Sequence, residues 1–253
     1  MQMIPLITKL ARNDVKLIGR DGMLVGVILF LILIAMILRS GLPWFNEYLA
    51  EQAVLPSETI SESLADFYPL IIAFLAIFGS ATIIGFIFGF VLLDEKDDQT
   101  LKAMLVTPVP FNRYILFRVG SPALLAFIAI TGVMLSANQA TVPLWQVLLI
   151  AAGGSLVAPI TSLILAIFAE NKLQGFVFGK FIGLVGWIIL LGWFVDEPVQ
   201  WLFGLFPPFL TSKAYWMALE GDAVWWLILM TGSLMQLLCI YYLVQVFNRI
   251  AHR

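Results

Sequence analysis

Six long apolar runs dominate the sequence, and their length constrains the fold more than any other feature. They lie at 21–40, 70–93, 119–137, 145–169, 175–194 and 223–247. Each is close to the roughly 20 helical residues that a bilayer core requires. Since hydrocarbon offers no water to backbone amides, each run is expected to be an α-helix. The sequence therefore predicts an all-α polytopic membrane protein, with 1–253 forming one transmembrane domain of six spans.

Composition and charge distribution support the same fold class. Of 253 residues, 61% are hydrophobic and 12% are charged, which excludes a water-soluble domain. Twelve of the 14 Lys and Arg residues fall on one side of the predicted spans, and Arg39 and Lys213 fall on the other. The positive-inside rule then predicts a multi-pass protein of the cytoplasmic membrane with both termini cytoplasmic. Membrane lipid is its expected surrounding, and nucleic acid is not an expected partner.

An amphipathic helix is predicted at 4–20, ahead of the first span. Its apolar arc would lie in the membrane interface and its basic stripe would face water or anionic headgroups. Asp14 falls on the apolar arc, where either pairing with another helix or a local distortion would account for it. The stripe consists of Lys9, Arg12, Lys16 and Arg20.

Two stretches are predicted to be outside the membrane core on the opposite side. Residues 43–68 carry five acids and no Lys or Arg, which favours a solvated outer face over a cation-attracting vestibule. Within 195–222, the apolar segment 199–210 is too short to cross and contains Pro207 and Pro208. That segment predicts a re-entrant or interfacial element between the fifth and sixth spans.

The spans themselves suggest where helices approach and where cargo passes. Glycines that allow close helix approach recur at positions 79, 85 and 89 and at 175, 179 and 183, and Pro159 predicts a kink in the fourth span. Aromatic side chains of the second span suggest a wall for a hydrophobic cargo, although lipid contact and core packing explain them equally well. The possible substrate path consists of Phe74, Phe78, Thr82 and Phe86.

The segment 94–118 is the one long charged and amphipathic stretch between two apolar runs. Leu101, Met104 and Leu105 recur at helical spacing after a group of acids, and Thr107-Pro108-Val109-Pro110 ends that short helix. A small apolar face with a charged rim is typical of a docking surface. The partner that would dock there is not part of this sequence.

These residues resemble a signature of the membrane-spanning permeases of type-2 ATP-binding-cassette (ABC) exporters. In that family an acidic residue, a Thr-Leu pair, an apolar pair and a Thr-Pro or Ser-Pro step form the coupling helix that binds the ATPase subunit. Gln99 and Lys102 depart from the pattern, which puts the identity of the ATPase contacts in doubt. The resemblance assigns ATPase coupling to Glu95, Thr100, Leu101, Met104, Leu105, Thr107 and Pro108.

The resemblance also implies how the protein would be powered. It predicts a separate ABC ATPase subunit that holds ATP and Mg²⁺, a second permease copy as homodimer or heterodimer, and no cofactor in this chain. No ionisable residue is predicted deep in a span, whereas an ion-coupled carrier normally needs one. The sequence is therefore interpreted as the permease subunit of an ATP-driven exporter that moves a hydrophobic or amphipathic compound, drug or lipid-like, out across the cytoplasmic membrane.

Two other classes of protein are compatible with a polytopic membrane chain. An intramembrane lipid-modifying enzyme would need clustered acids or histidines, and the acids between 94 and 98 have no second acidic motif to complete a metal site. A non-catalytic membrane scaffold is the other alternative. For a permease subunit we predict no catalytic residue and no metal ligand in this chain.

Overall fold

The computed structural model describes residues 3–20, 22–51, 64–97 and 111–251, and within these ranges the chain is helical, with no strand. The described chain contains six helices that are long and apolar enough to cross a membrane. The predicted fold class is confirmed. The spans are Leu24–Leu49, Leu64–Lys96, Arg113–Ser136, Leu144–Phe168, Lys172–Trp193 and Trp225–Ile250.

The helices are labelled in chain order. They are α1 Met3–Arg20, α2 Gly22–Met36, α3 Leu42–Glu51, α4 Tyr68–Ile72, α5 Ser80–Asp97, α6 Phe111–Ser136, α7 Leu144–Ser155, α8 Val157–Phe168, α9 Lys172–Trp193, α10 Pro207–Glu220 and α11 Trp225–Ala251. π-Helical turns at Ile37–Gly41 and Ala73–Gly79 join α2 to α3 and α4 to α5. The first two spans are therefore continuous helical rods.

The first span is longer than its predicted range of 21–40. The chain stays helical through Ile37–Gly41 and on to Glu51, into the stretch 43–68 that was predicted to lie outside the membrane core. In the π-helical turn the Leu42 amide donates to the Ile37 carbonyl, five residues back. Because the ordinary bonding pattern is already interrupted there, a proline in the following turn removes little.

The predicted loop 94–118 is also shorter than expected, which corrects both of its bounds. Helix α5 continues to Asp97 and α6 begins at Phe111, so the segment outside the described residues is 98–110. Residues 113–118 alternate between buried and exposed positions along the first turns of α6, and Tyr114 and Ile115 are packed in a buried apolar cluster with residues of other helices. Burial of one face, which local polarity did not reveal, extends the helix.

The fourth span is broken near its centre, as Pro159 predicts. Helix α7 ends at Ser155 and α8 begins at Val157, with Leu156 between them at ψ −16°. Pro159 has no amide hydrogen to donate to the carbonyl of Ser155, four residues earlier. Two hydroxyls near the break donate to other backbone carbonyls. The Ser155 hydroxyl donates to the Ala152 carbonyl at 2.8 Å, and the Ser162 hydroxyl donates to the Pro159 carbonyl at 3.0 Å.

The second and fourth spans form the centre of the bundle. Their most apolar windows are 61% and 67% buried, against 22–28% for the other four spans. Close approach between them uses small residues, as predicted. A Cβ at Gly85 would meet the Ala158 backbone and lie 2.7 Å from the Thr161 Cβ, and one at Gly89 would lie 2.9 Å from the Leu165 Cβ. The four remaining spans surround this pair.

Glycines of α9 accommodate phenylalanine rings of the second span. A Cβ added at each of three glycines would meet such a ring, whereas one at Gly183 would meet nothing within 4 Å. The predicted glycine face at 175, 179 and 183 is therefore corrected at its third position, because the rings follow a different spacing from the glycines. The pairs are Gly175 with Phe90, Gly179 with Phe86, and Gly186 with Phe78.

The region 195–222 contains a buried helix and not only an outer loop. A 3₁₀ segment at Val199–Leu205 leads into α10, which begins with two prolines and ends at Gly221 in the left-handed region at φ 76°. The Trp216 indole donates to the Pro69 carbonyl at 3.2 Å, and the Tyr215 hydroxyl donates to the Ala140 carbonyl at 2.7 Å. Burial raises the pKa of Tyr215, so its phenol keeps the proton that it donates. Helix α10 is thus inserted among the spans.

A polar clamp, Lys213 with Glu197 and Gln200, fixes α10 to the end of α9. The Lys213 ammonium lies 2.8 Å from a Glu197 oxygen and donates to the Gln200 side chain at 2.6 Å. Gln200 in turn donates to the Gly192 carbonyl at 2.7 Å. This clamp lies at the end of the bundle opposite Asp97 and Phe111.

Candidate functional site

Four polar side chains meet where α1, α5 and α6 come together, and we call Asp14, Glu95, Tyr114 and Arg118 the ion cluster. The two terminal nitrogens of Arg118 donate to different carboxylates, one to Asp14 at 2.7 Å and the other to Glu95. The Tyr114 hydroxyl donates to the second Glu95 oxygen at 2.6 Å. One guanidinium therefore links three helices.

The ion cluster is almost completely removed from solvent. Asp14 is 4% exposed, Glu95 is 5% exposed and Arg118 is 2% exposed. Burial raises the pKa of Asp14, and the charge and hydrogen bond of Arg118 lower it by a smaller amount. Charges buried this deeply persist only when they are paired, so removing one member would leave its partners uncompensated.

The ion cluster lies at the end of the bundle where the second span ends, and we call this end of the bundle the basic end. A second set of contacts holds the second span in place there. The Lys172 ammonium lies 3.0 Å from an Asp94 oxygen, and Lys96 donates to the Ala169 carbonyl at 3.1 Å. The Asn171 side chain caps α9 by accepting from the Gln174 amide at 3.0 Å. The helix that precedes 98–110 is thus held to α1 and α6 on one side and to the turn before α9 on the other.

The predicted coupling residues fall into two groups. Glu95 is described, and both of its oxygens accept hydrogen bonds from within the chain. The other six lie in 98–110, outside the described residues. Coupling therefore stays a prediction for all seven. The structure adds that Glu95 would act by holding Arg118 and Tyr114, since its carboxylate is buried.

Sequence reasoning missed Arg118. The prediction that no ionisable residue lies deep in a span depended on a third span that began at 119, and the helix actually starts at Phe111. Arg118 therefore lies inside the third span and is buried. Asp14 was the one available signal, because a carboxylate on the apolar arc of α1 needs a partner. That partner is 104 residues away in sequence.

The basic stripe of α1 is partly described. Arg12, Lys16 and Arg20 are exposed, whereas Asp14 is buried on another face of the same helix. Lys9 lies on α1, and its side chain is outside the described set. This two-sided arrangement is the one expected of an interfacial helix, and contact of the stripe with lipid stays a prediction.

The four residues of the possible substrate path do not line one cavity. Phe78 lines a mostly apolar cavity, and the Phe74 ring stacks on the Phe78 ring with centroids 6.2 Å apart. Thr82 and Phe86 line a different cavity, one turn or two further along the second span. A single aromatic wall is therefore not what these residues form, and a transport role stays a prediction for each.

The apolar cavity lies between the fourth, fifth and sixth spans and the start of α10. Its volume is about 320 Å³, and among the described residues that line it Thr161 and Cys239 are the only ones with a hydroxyl or a thiol. Cys239 is a free, half-buried cysteine, and such a thiol packs as a small hydrophobic side chain. The other lining residues are Phe78, Val157, Ile160, Ile164, Phe178, Phe181, Ile182, Val185, Phe206, Pro207 and Pro208.

The second cavity, which we call the lysine cavity, lies between the first, second and fifth spans. Its volume is about 420 Å³, and its lining combines aromatic rings with one ammonium and one hydroxyl. The lining residues are Gly26, Val27, Phe30, Thr82, Ile83, Phe86, Phe176, Gly179 and Lys180.

Within the described ranges, no group of three or more His, Cys, Asp or Glu side chains could hold a metal ion.

Comparison with known proteins identifies the family. Residues 14–244 match the family model described as "Fluoroquinolones export permease protein Rv2686c-like". The chain is 29% identical over 244 residues to the fluoroquinolones export permease proteins MT2760 and Rv2686c, from two strains of Mycobacterium tuberculosis. The alignment covers 94% of this chain and 92% of each relative. No solved structure matches.

The match includes all six spans up to the last turns of the sixth, together with every member of the ion cluster. Six apolar spans and a family model that covers most of the sequence lead to one conclusion: the chain is a multi-pass membrane protein and belongs to the Rv2686c-like family of export permeases.

Proposed function

We propose that this permease is the membrane-spanning subunit of an ABC exporter that moves fluoroquinolone-like drugs, which are flat aromatic amphiphiles, out of the cell. The observation that carries the proposal is the match of 14–244 to a family of that name, with two curated relatives aligned over nearly their whole length. Two cavities rich in aromatic side chains support a cargo of this kind.

The power source we propose is an ABC ATPase in a separate chain, which would bind ATP and Mg²⁺. The segment 98–110, which joins the second and third spans, would dock on it through Leu101, Met104 and Leu105. Both flanks of this segment are tied together by the ion cluster. A displacement of the docked segment would therefore move α1 and both spans as one body, which is how rigid-body coupling works.

We further propose that the basic end faces the cytoplasm, where an ATPase would bind. Twelve of the 14 Lys and Arg residues belong to segments at this end. Exposed apolar side chains are abundant on the first and fifth spans, including Phe30, Met36 and Leu184. We assign part of this surface to a second permease copy and part to lipid, since six spans alone enclose only small cavities.

Co-purification tests the docking step. The chain is expressed with its ATPase partner, and the complex is captured through the permease in mild detergent. We expect Leu101→Asp combined with Leu105→Asp to remove the ATPase, because charge replaces the apolar face that would contact it. The exposed Lys16→Gln variant serves as control and should retain the partner. Full retention of the ATPase by the double variant would contradict docking through 98–110.

A further inference from the structure

The lysine cavity contains a cation within a span. Lys180 is the ninth residue of α9, so its Cα lies about 12 Å along the helix from Lys172, at 1.5 Å per residue. Among the described residues, no carboxylate lies within ion-pair distance of its ammonium, whereas Lys172 and Lys213 each contact one. A lysine at such a position costs free energy in a membrane and is expected to have a functional partner.

The same cavity contains a hydroxyl with no hydrogen-bond partner. Thr82 Oγ1 is buried and makes no hydrogen bond to any of the described residues. Hydroxyls in helices commonly donate to the carbonyl four residues earlier, and Ser121 and Thr231 of this chain do so at 2.8 Å. Thr82 does not, so it keeps a buried donor that no described residue uses.

Aromatic rings complete the lining. The Phe86 and Phe176 ring centroids are 5.8 Å apart, and Phe30 lies on the first span at the other side of the cavity. Phe86 packs against Gly179, the neighbour of Lys180, in a position that a Cβ at residue 179 would occupy. The missing side chain therefore lets the ring lie next to the lysine. Ring faces of this kind stack on flat aromatic ligands.

We propose that the lysine cavity binds the carboxylate of an aromatic, amphipathic acid. The Lys180 ammonium contacts the carboxylate, the Thr82 hydroxyl donates to an adjoining oxygen, and the rings contact the flat body of the ligand. This inference rests on the proposed function and assigns its recognition step to particular residues. The apolar cavity, by contrast, has no charged side chain with which to hold a carboxylate.

A binding experiment with a matched pair of ligands tests the assignment. The purified permease is placed in phosphatidylcholine nanodiscs, and fluorescence anisotropy measures Kd for a fluorescent quinolone carboxylic acid and for its methyl ester. We expect Lys180→Gln to weaken binding of the acid about tenfold, since a charge-assisted hydrogen bond is lost, and to leave binding of the ester unchanged. Lys180→Arg should retain most of the affinity for the acid.

Three further variants sharpen the result. Lys16→Gln removes an exposed lysine from α1 and should change neither Kd. Thr82→Val should weaken the acid a few-fold, whereas Thr82→Ser should not, because only the first removes the hydroxyl. Unchanged ester binding shows that each variant is folded. Equal losses for acid and ester, or no loss for the acid, would overturn the assignment.

Two outcomes separate this inference from the function on which it rests. If the intact exporter and its Lys180→Gln variant move the quinolone acid equally well, the assignment of carboxylate binding to the lysine cavity is wrong and the proposed function stands. If the wild-type complex moves no quinolone, the function itself is wrong, and the inference with it. If phosphatidylglycerol raises the Tm of wild type but not of Lys180→Gln, and acid binding is equal in both, Lys180 serves a lipid headgroup and the proposal is overturned.

Discussion

The two ends of the bundle are held together by different physical interactions. At the basic end, one guanidinium and two carboxylates link α1, α5 and α6 in a buried ion cluster. Along α9 from this end, phenylalanine rings of the second span fit against glycines at 175, 179 and 186, and at the other end a polar clamp fixes α10. Loss of one charged member leaves its partners buried and unpaired, whereas apolar packing contacts are non-directional.

The comparison suggests a division of labour. An exporter that is driven by a separate ATPase needs a rigid connection at the segment that binds the ATPase. It also needs adjustable surfaces along the path of the cargo. The ion cluster supplies the first at the flanks of 98–110. The ring and glycine contacts border both cavities, so small shifts between α5 and α9 would change the volume of each.

The largest expected effect comes from breaking the ion cluster. Arg118→Met leaves two carboxylates buried without a cation and should lower the free energy of unfolding by about 3–5 kcal/mol. Arg113→Met, an exposed position on the same helix, should change it by less than about 0.5 kcal/mol. Denaturant unfolding in detergent micelles measures both. Equal values would show that the cluster does not hold this end together.

Neutralising the carboxylates sharpens the same test. Adding Asp14→Asn and Glu95→Gln to Arg118→Met removes the uncompensated charges, so stability should return most of the way to that of wild type. Transport should not return, because the link between α1 and the two spans is still absent. Recovery of ATP-driven export in the triple variant would contradict a mechanical role for the cluster.

Ring packing should show a smaller effect. Gly179→Ala places a Cβ where the Phe86 ring lies and should cost about 1–3 kcal/mol of unfolding free energy through overpacking. Gly183→Ala is the matched control on the same helix, with open space around its Cβ. It should be neutral or stabilising by up to about 1 kcal/mol, because alanine favours helix. A loss as large at Gly183 would mean that helix bending, not the ring, is responsible.

The smallest effect is expected at the polar clamp, where Glu197 is exposed, and this effect depends on pH. The hydrogen bond and charge of Lys213 hold the pKa of Glu197 below its ordinary value. A lowered carboxyl pKa stabilises the fold above the unfolded pKa, and this contribution is lost as pH falls through the folded pKa. The Tm difference between wild type and Glu197→Gln should therefore be present at neutral pH and vanish in acid.

The exposed Glu220→Gln variant, at the other end of α10, controls for the charge change. Its Tm should follow that of wild type throughout the titration. A difference between wild type and Glu197→Gln that persists in acid would show that the clamp acts through packing and not through charge.

Local patterns predicted the spans well because hydrophobic length is a local property. The six spans, the break near Pro159 and the close approach at Gly85 and Gly89 all follow from neighbouring residues. The sequence also predicted that Lys180 lies towards the basic end. Its place in a cavity with Thr82 and Phe30 was not, because that depends on three spans meeting.

Long-range pairing explains most of what sequence reasoning missed. The charged, amphipathic character of 94–118 predicted a loop as far as 118, yet Arg118 is helical and buried because it binds Asp14 and Glu95. The carboxylate of Asp14 pointed to a partner without identifying it. Similarly, Gly183 fits the four-residue repeat, but the rings meet Gly186 instead. The register between neighbouring helices determines both the partners of Arg118 and the glycines that the rings contact.

The central claim is that this permease moves its cargo with work supplied by a separate ATPase. The most direct measurement is uptake of a fluorescent quinolone into inside-out proteoliposomes that contain the permease alone, the permease with its ATPase, or the ATPase alone. We predict uptake against a gradient only when both proteins and Mg-ATP are present. Uphill uptake by the permease alone, without ATP, would contradict the account.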